Sequence, residues 1–219
     1  MNKSEKYNFK IINENPSIDA LDFHEKSEID LIDCFEKNTI DLKKYESPYV
    51  MIEVGSNIAY YSLLFKHILG KEKTINIMIE PHPPSLELGE NNFKLNNCSG
   101  FFYKRGIGKE WTIQPDPNLK NLTSEPILLS EIFETHELNC IDVLHSDIDG
   151  SELTLLDENK NLFVKKQIKH VYILTHSDSK HDGCKKFFQN LDYNLILDIP
   201  YSEKKVGYDG LLVYRIKND

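Results

Sequence analysis

Acidic residues stand at the ends of three short apolar segments of this chain. Glu53, Glu80 and Asp147 each close such a segment, which is the pattern of a strand buried in a parallel sheet. The carboxyl ends of parallel strands meet at one edge of the sheet, and ligands of α/β proteins bind there. We therefore expect the three carboxylates to face one ligand and to accept hydrogen bonds from it.

The first apolar segment leads into a glycine turn. Residues 50–53 are followed by Gly55 and then by residues 58–69, in which apolar side chains recur at helical spacing. Such a turn leaves the first N–H groups of the helix unpaired and facing a crevice, and glycine allows a ligand to approach closely. A dinucleotide site has the pattern G-x-G-x-x-G. Here Gly55 is followed by Ser56, Asn57, Ile58 and Ala59, so the second glycine that a pyrophosphate needs is missing.

The second acid follows the next strand. Residues 74–79 are mainly apolar and end at Glu80. In a Rossmann-type unit an acid at the end of the second strand accepts hydrogen bonds from ribose hydroxyls, so Glu80 is predicted to hold a ribose. Pro83 and Pro84 suit the first turn of a helix that would continue through residues 86–95.

The third acid belongs to a cluster that reads Asp147-Ile148-Asp149-Gly150-Ser151-Glu152. Glu152 has two interpretations, either as a group that acts on substrate or as the partner of Asp149 in a capping box. Asp147, Asp149 and Glu152 are also hard oxygen donors of the kind that bind Mg²⁺. Because neighbouring turn residues rarely converge on one ion without a further donor, we predict no metal site.

The order and spacing of the three blocks are more specific than any one of them. Glu53-x-Gly55-x-Asn57, Glu80-Pro81 and Asp147-x-Asp149-Gly150-x-Glu152 lie within residues 48–195. Together they resemble the FkbM family of S-adenosylmethionine-dependent O-methyltransferases, whose third block reads D-x-E/D/Q-G-x-E. The resemblance implies an α/β, Rossmann-like class I methyltransferase fold with a mostly parallel, doubly wound sheet and an antiparallel last strand. Ala59 departs from the family, which usually has glycine there.

The resemblance implies S-adenosyl-L-methionine as the cofactor and a hydroxyl of a sugar, glycan or small natural product as the methyl acceptor. The predicted cofactor-binding residues are Glu53, Gly55, Asn57, Glu80, Gly106, Ile107 and Asp147. Glu53 would face the amino-acid end of the cofactor and Glu80 its ribose. The small residues at the end of the third strand would lie against adenine.

Asp147, His176 and Glu152 are the residues predicted to act in the reaction. Methyl transfer from a sulfonium is an in-line displacement, and a hydroxyl nucleophile needs a base to take its proton. His176 follows the apolar residues 171–175, and an imidazole there would accept a proton near neutral pH. A loop histidine held by hydrogen bonds is the alternative interpretation. His145 lies within an apolar strand and is interpreted as a core residue.

Composition excludes several classes of partner. The net charge is −9 over 219 residues, and no basic stripe is present that would neutralise the phosphates of a nucleic acid or a membrane. No apolar run approaches the roughly 20 residues that a transmembrane helix needs. The four cysteines, which show no metal-ligand spacing, are Cys34, Cys98, Cys140 and Cys184. Reduced thiols and the absence of an apolar signal core predict a cytoplasmic protein.

Two parts of the chain differ in pattern. Residues 1–47 are predicted to form a helical extension, with Ile29, Ile32 and Phe35 at helical spacing after a candidate cap at Ser27. Residues 48–219 alternate strands and helices, as in a doubly wound sheet. The later predicted elements are strands at 100–107, 140–146, 171–175, 194–199 and 211–216, helices at 151–163 and 182–191, and a loop at 109–127 in which Trp111 would cover substrate.

Two alternative functions remain open at this point. A nicotinamide-dependent reductase is disfavoured by the missing second glycine and by the absence of a Tyr-x-x-x-Lys pair. A noncatalytic module that binds a cofactor or a partner is favoured only by the alanine at position 59.

Overall fold

A seven-stranded sheet forms the centre of the molecule. The computed structural model describes residues 3–12, 28–109, 124–203 and 209–217. The strands are β1 (Tyr49–Val54), β2 (Thr74–Ile79), β3 (Phe101–Tyr103), β4 (Arg105–Ile107), β5 (Glu125–Ile127), β6 (Ile141–Ser146), β7 (Ile168–Thr175), β8 (Tyr193–Ile199) and β9 (Gly210–Ile216). The main sheet has the order β3-β2-β1-β6-β7-β9-β8, and β4 and β5 form a separate pair.

The main sheet is parallel except at one strand. β3, β2, β1, β6 and β7 are paired in parallel, whereas β9 runs antiparallel to both of its neighbours, β7 and β8. The predicted α/β fold, mostly parallel sheet and antiparallel last strand are therefore confirmed. The strand order reverses at β1, which has β2 on one side and β6 on the other. Ligands of open α/β sheets bind at such a switch point, and here it lies at Gly55.

Helices cover both faces of the sheet. They are α1 (Lys3–Tyr7), α2 (Ile29–Asp41), α3 (Tyr60–Leu69), α4 (Pro83–Leu95), α5 (Leu129–Thr135), α6 (Glu152–Glu158), α7 (Lys160–Val164) and α8 (Asp178–Phe188). Met51 of β1 joins the core beneath α2 and α3, whereas its neighbour Ile52 joins the core beneath α5 to α8. Because both faces are covered, every residue of β1 is buried, which explains its continuous apolar sequence.

The N-terminal helices share the core of the sheet. The rings of Phe35 on α2 and Tyr61 on α3 pack with their centroids 5.3 Å apart. The Asn38 side chain of α2 donates a hydrogen bond to the buried Tyr172 hydroxyl of β7 at 2.9 Å. The boundary predicted after residue 47 thus falls just before β1, while the helices that precede it pack directly on the sheet.

Several predicted boundaries were wrong for identifiable reasons. α3 begins at Tyr60 and not at residue 58, because Ala59 has a left-handed φ of 61°. The strand predicted at 100–107 is two strands, of which β3 continues the main sheet and β4 pairs with β5. β5 lies in the predicted loop; its Pro126 lacks an N–H donor but is tolerated in a strand of a two-stranded pair, which has an open edge.

Two helices also differ from prediction. The helix predicted at 151–163 is divided into α6 and α7 at Asn159, whose side chain donates to the Leu155 carbonyl and accepts from the Leu129 N–H. The helix predicted at 182–191 begins earlier, because the Ser177 hydroxyl accepts the Lys180 N–H and caps α8. Helix α5 was not predicted. Ser27 and Trp111 lie outside the described residues, so the cap and cover predicted for them stay predictions.

Candidate active site

The turn after β1 is shaped by the strands on either side. Gly55 has a φ of 72°, and its N–H donates to the Ile79 carbonyl at 2.9 Å. A Cβ at position 55 would lie 1.7 Å from the carbonyl oxygen of Asp147. Glycine is therefore required here by the neighbouring backbone itself, in addition to any ligand that approaches the turn.

The next part of the turn is also left-handed. Asn57 and Ala59 have φ values of 43° and 61°, a region that asparagine enters more readily than alanine. The Ala59 methyl is buried and faces Gly89 of α4, where even an added Cβ would lie at an ordinary contact distance of 3.4 Å from that methyl. The alanine that departs from the family pattern thus fits the packing at the cost of backbone strain.

Glu80 follows β2 and lies beside the Gly55 turn. Its carboxylate accepts hydrogen bonds from the backbone N–H groups of Asn57, at 2.9 Å, and His82, at 2.8 Å. Burial raises the pKa of Glu80, and the two N–H donors partly offset that effect. The side chain predicted to hold a ribose therefore also ties the end of β2 to the β1 turn, and each oxygen keeps a lone pair for a further donor.

Glu53 lies on the α3 side of the sheet. Its side chain is 2% exposed, and Oε2 accepts the backbone N–H of Ser62 at 3.0 Å. The carboxylate thus satisfies one of the unpaired N–H groups in the first turn of α3. The contact fixes α3 against β1, while the predicted contact of Glu53 with a cofactor stays a prediction.

Gly106 and Ile107 lie on β4, in the small sheet. They pair with Pro126 and Ile127 of β5 and are buried. The carbonyl of Tyr103, just before β4, accepts the N–H of Glu80 at 3.0 Å. β4 therefore starts beside the acid at the end of β2, while the predicted contact of Gly106 and Ile107 with a cofactor stays a prediction.

Four carboxylates surround His176 at the end of β7. Its Nε2 lies 3.0 Å from Asp149 Oδ1, 3.3 Å from Asp147 Oδ1 and 3.4 Å from Asp209 Oδ2. On the other side of the ring, Nδ1 lies 2.7 Å from Glu152 Oε1, which also accepts the His176 backbone N–H. The structure thus brings together the three residues predicted to act in the reaction and adds Asp209, which was not predicted.

The surrounding carboxylates determine the protonation state of the His176 imidazole. Burial lowers the pKa of His176, but the hydrogen bonds with Asp147, Asp149 and Glu152 outweigh burial and raise it to about 12. In this arrangement the ring is protonated at neutral pH, so it does not offer the free lone pair that a base near neutral pH needs. Glu152 is 0% exposed, and its contact with His176 replaces the predicted capping box, since Ser151 and not Asp149 precedes α6.

Asp209 reaches the cluster because β9 runs antiparallel. Gly210, its neighbour, pairs with Thr175, so the residue before β9 lies beside the residue after β7. The two strand ends lie so close that a Cβ at position 210 would come within 2.4 Å of the Thr175 hydroxyl oxygen, so glycine is needed there. The signal was present in the sequence but needed the strand direction and register together.

The segment before α2 also reaches this end of the sheet. The Tyr61 hydroxyl donates to the Glu28 carboxylate, and the Tyr61 ring stacks on His145 with centroids 4.2 Å apart. Burial raises the pKa of Tyr61, and the negative charges of Glu28 and Asp147 add to that rise. His145 is 2% exposed and lies in the core, as interpreted from the sequence.

The strand order of the sheet and the acids at its strand ends together identify the class of protein. A sheet of this strand order, with an antiparallel strand next to its edge, is that of the Rossmann-like S-adenosylmethionine-dependent methyltransferases. The acids lie at the ends of β1, β2 and β6, three neighbouring strands of that sheet. The chain belongs to the FkbM methyltransferase family, since residues 53–195 match the methyltransferase FkbM domain.

Solved structures agree with the fold. The methyltransferase FkbM from Methylobacillus flagellatus KT is 17% identical, with a TM-score of 0.54 over 78% of this chain and 44% of that chain. An O-methyltransferase from Bacillus cereus in complex with SAH is 10% identical, with a TM-score of 0.52 over 98% of this chain and 87% of that one. This chain thus spans less than half of the solved FkbM protein. No curated protein matches the sequence. Within the described ranges, no helix is both long and apolar enough to cross a membrane.

Proposed function

We propose that this protein is an S-adenosylmethionine-dependent O-methyltransferase that acts on a hydroxyl of a sugar, glycan or small natural product. The observation that carries the proposal is the switch point of the sheet, where Glu80 and Asp147 follow the strands on either side of the Gly55 turn. Family membership supports methyl transfer, and the resemblance to O-methyltransferases supports oxygen as the acceptor atom.

The cofactor would lie across the ends of β1, β2 and β6. Glu80 would accept the ribose hydroxyls, and the β1 turn at Gly55 and Asn57 would lie against the cofactor backbone. Gly106 and Ile107 would contact adenine, and Glu53 would fix the helix beside the amino-acid end. When bound, S-adenosylmethionine supplies the methyl group as an electrophile.

The acceptor would enter beside Asp147 and His176. The four carboxylates there favour a positively charged sulfonium and disfavour an anionic acceptor such as a phosphate. Asp147 would orient the acceptor hydroxyl towards the methyl group, since alignment of the reacting atoms supplies much of the rate. His176 and Glu152 would hold that carboxylate in place.

Charge and cysteine content indicate which partners and which location to expect for the protein. We expect a small-molecule or glycan substrate and neither a nucleic-acid nor a membrane partner, because the chain carries a net charge of −9. All four cysteines are free thiols, which supports a cytoplasmic location.

Calorimetry with the purified chain tests the cofactor. We expect S-adenosylmethionine and S-adenosylhomocysteine to bind and NAD to give no heat of binding. Binding of NAD alone would instead support the reductase, and binding of neither class would contradict the proposal.

Methyl transfer is tested with labelled cofactor and a panel of sugars and hydroxylated acceptors. Label in an alkali-stable ether product supports the O-methyltransferase. Tight cofactor binding without transfer to any acceptor would favour the noncatalytic module, whose specific support is the strained Ala59 in the cofactor turn.

A further inference from the structure

One imidazole nitrogen of His176 lies close to more carboxylates than it can donate a hydrogen bond to. Nε2 of His176 lies within 3.4 Å of oxygens from Asp147, Asp149 and Asp209. A ring nitrogen carries at most one hydrogen, so it donates fully to only one of them. These oxygens come from two separate segments, the turn after β6 and the residue before β9, which the fold brings to one point. A single proton neutralises only part of the negative charge of these carboxylates, whereas a divalent cation would neutralise more of it.

The opposite ring nitrogen is held by a second carboxylate. Nδ1 lies 2.7 Å from Oε1 of Glu152, whose side chain is 0% exposed. This contact keeps a hydrogen on Nδ1 and turns Nε2 towards Asp147 and Asp209, where a bound metal ion would replace the Nε2 proton. A carboxylate behind the imidazole in this way is the usual outer support of a histidine that binds a metal.

We propose that Asp147, His176 and Asp209 bind a divalent first-row transition-metal ion. Their ligand atoms all lie within 4.8 Å of one another. The Nε2 separations of 3.3 Å to Asp147 and 3.4 Å to Asp209 match neighbouring ligands, which lie about 3.0–3.5 Å apart when each is about 2.1 Å from the ion. Asp149, with a side chain that is 91% exposed, lies outside the set.

The chemical types of the three ligands indicate which metal ions the site would bind. Two carboxylates alone would suit Mg²⁺ or Ca²⁺, whereas an imidazole favours Mn²⁺, Fe²⁺, Co²⁺ or Zn²⁺. Three protein ligands leave coordination positions open, as in catalytic metal sites. This set differs from the sequence-based prediction of no metal site, which considered only Asp147, Asp149 and Glu152, because Asp209 is remote in sequence from the acids after β6.

A role for the ion in the reaction rests on the proposed function. The acceptor hydroxyl would bind at an open position, where the ion lowers its pKa and its proton leaves to solvent. The oxygen lone pair then forms the bond to the methyl carbon, and the electrons of the broken carbon–sulfur bond stay on sulfur. The ion would thus activate the hydroxyl without any free base, while His176 serves as its ligand.

The test uses the full chain, treated with chelator and then titrated with MnCl₂ by calorimetry and by electron paramagnetic resonance. We expect one Mn²⁺ per chain, bound more tightly than Ca²⁺. Glu152→Gln should weaken Mn²⁺ binding about 10–100-fold, and Asp209→Asn should weaken it further. Asp209 has a 30% exposed side chain, so its replacement leaves the core intact.

Asp198→Asn is the matched control, because Asp198 contacts a different histidine, His181, at 2.8 Å outside the cluster. Its Mn²⁺ affinity should equal that of the unmodified chain. Equal affinities for Asp209→Asn and Asp198→Asn, or no Mn²⁺ binding at all, would overturn the proposal. S-adenosylhomocysteine binding, measured in parallel without metal, separates the two ideas: its loss contradicts the proposed function, and loss of Mn²⁺ binding alone contradicts only the metal site.

Discussion

The carbonyl oxygen of Asp147 lies where the side chain of any other residue at position 55 would begin. The distance from that oxygen to an ideal Cβ on Gly55 is 1.7 Å. The glycine and the acid therefore depend on each other: the turn after β1 can form only against an unsubstituted backbone, and the backbone of Asp147 is held there by its N–H, which donates to the Val54 carbonyl at 2.9 Å.

Gly55→Ala should consequently destabilise the fold as well as the site. A left-handed alanine costs about 1–2 kcal/mol and an overpacked contact about 1–3 kcal/mol, so we expect a loss of about 2–5 kcal/mol in the free energy of unfolding, measured in urea. Gly70→Ala is the control, because Gly70 is also left-handed at 104° but a Cβ there would meet no atom closer than 3.8 Å. If the two variants are equally stable, the contact with Asp147 does not constrain the turn.

Glu80→Ala should weaken S-adenosylhomocysteine binding. A charge-assisted hydrogen bond to ribose is worth about 1.5–3 kcal/mol, so the dissociation constant should rise about tenfold or more by calorimetry. Because Glu80 also accepts the N–H groups of Asn57 and His82, Glu80→Gln is needed beside it to keep the shape of the turn. Glu90→Gln, on the exposed side of α4, controls for loss of charge. Unchanged affinity in a folded Glu80→Ala chain would remove Glu80 from the ribose site.

Ala59→Gly should leave both stability and binding nearly unchanged. Relief of the left-handed strain, about 1–2 kcal/mol, is offset by the lost burial of a methyl, about 0.8 kcal/mol, and by the freedom of glycine in the unfolded chain, about 0.5–1 kcal/mol. The net change in the free energy of unfolding should lie within about 1 kcal/mol. A large loss of cofactor affinity would show that the alanine itself shapes the site.

Acid should loosen the N-terminal helices through Glu36. Burial opposes its ionisation, but hydrogen bonds from Lys3, Lys6 and Tyr7 outweigh burial and lower the pKa of Glu36 from 4.5 to about 2. Because the folded pKa is depressed, this contribution to stability is complete above about pH 4.5 and is lost as the pH falls towards 2.

The contribution amounts to at most about 3 kcal/mol. It is measured as the difference between the unfolding free energies of the unmodified chain and Glu36→Gln at several pH values. The difference should shrink as the pH falls from 5 to 3. A constant difference over that range would show that the charge of Glu36 does not stabilise the contact between α1 and α2.

Local sequence predicted the central strands and the acids that end them. β1, β2, β6 and β7 are covered on both faces, so their apolar runs are long and unambiguous. β4 and β5 were missed as a separate pair because each has three residues and one contains Pro126. Such short strands depend on each other's position and leave little periodicity to detect.

Some residues of the site could likewise be placed from local sequence, and others depend on the folded structure. Glu80, Asp147 and Glu152 could be placed near the crevice from motifs and strand ends alone. The protonation of His176 could not, since it depends on how closely Asp147, Asp149 and Glu152 approach the imidazole in the folded chain. Asp209 was missed because it reaches the imidazole only through the register of β9 on β7. The role of Gly55 against Asp147 likewise depends on how closely two neighbouring strands end, a distance that no local pattern contains.

Asp147→Asn should impair methyl transfer far more than cofactor binding. The amide keeps the size of the side chain but removes the charge that would orient the acceptor and face the developing transition state, so turnover should fall roughly a hundredfold or more. Affinity for S-adenosylhomocysteine, which lacks the sulfonium charge, should change little. Turnover is measured with labelled cofactor and any acceptor that the panel identifies, with Asp198→Asn as the control, since Asp198 contacts His181 and Lys185 away from the crevice. If Asp147→Asn turns over like the unmodified chain, Asp147 does not orient the acceptor, and the acceptor would lie elsewhere along the strand ends.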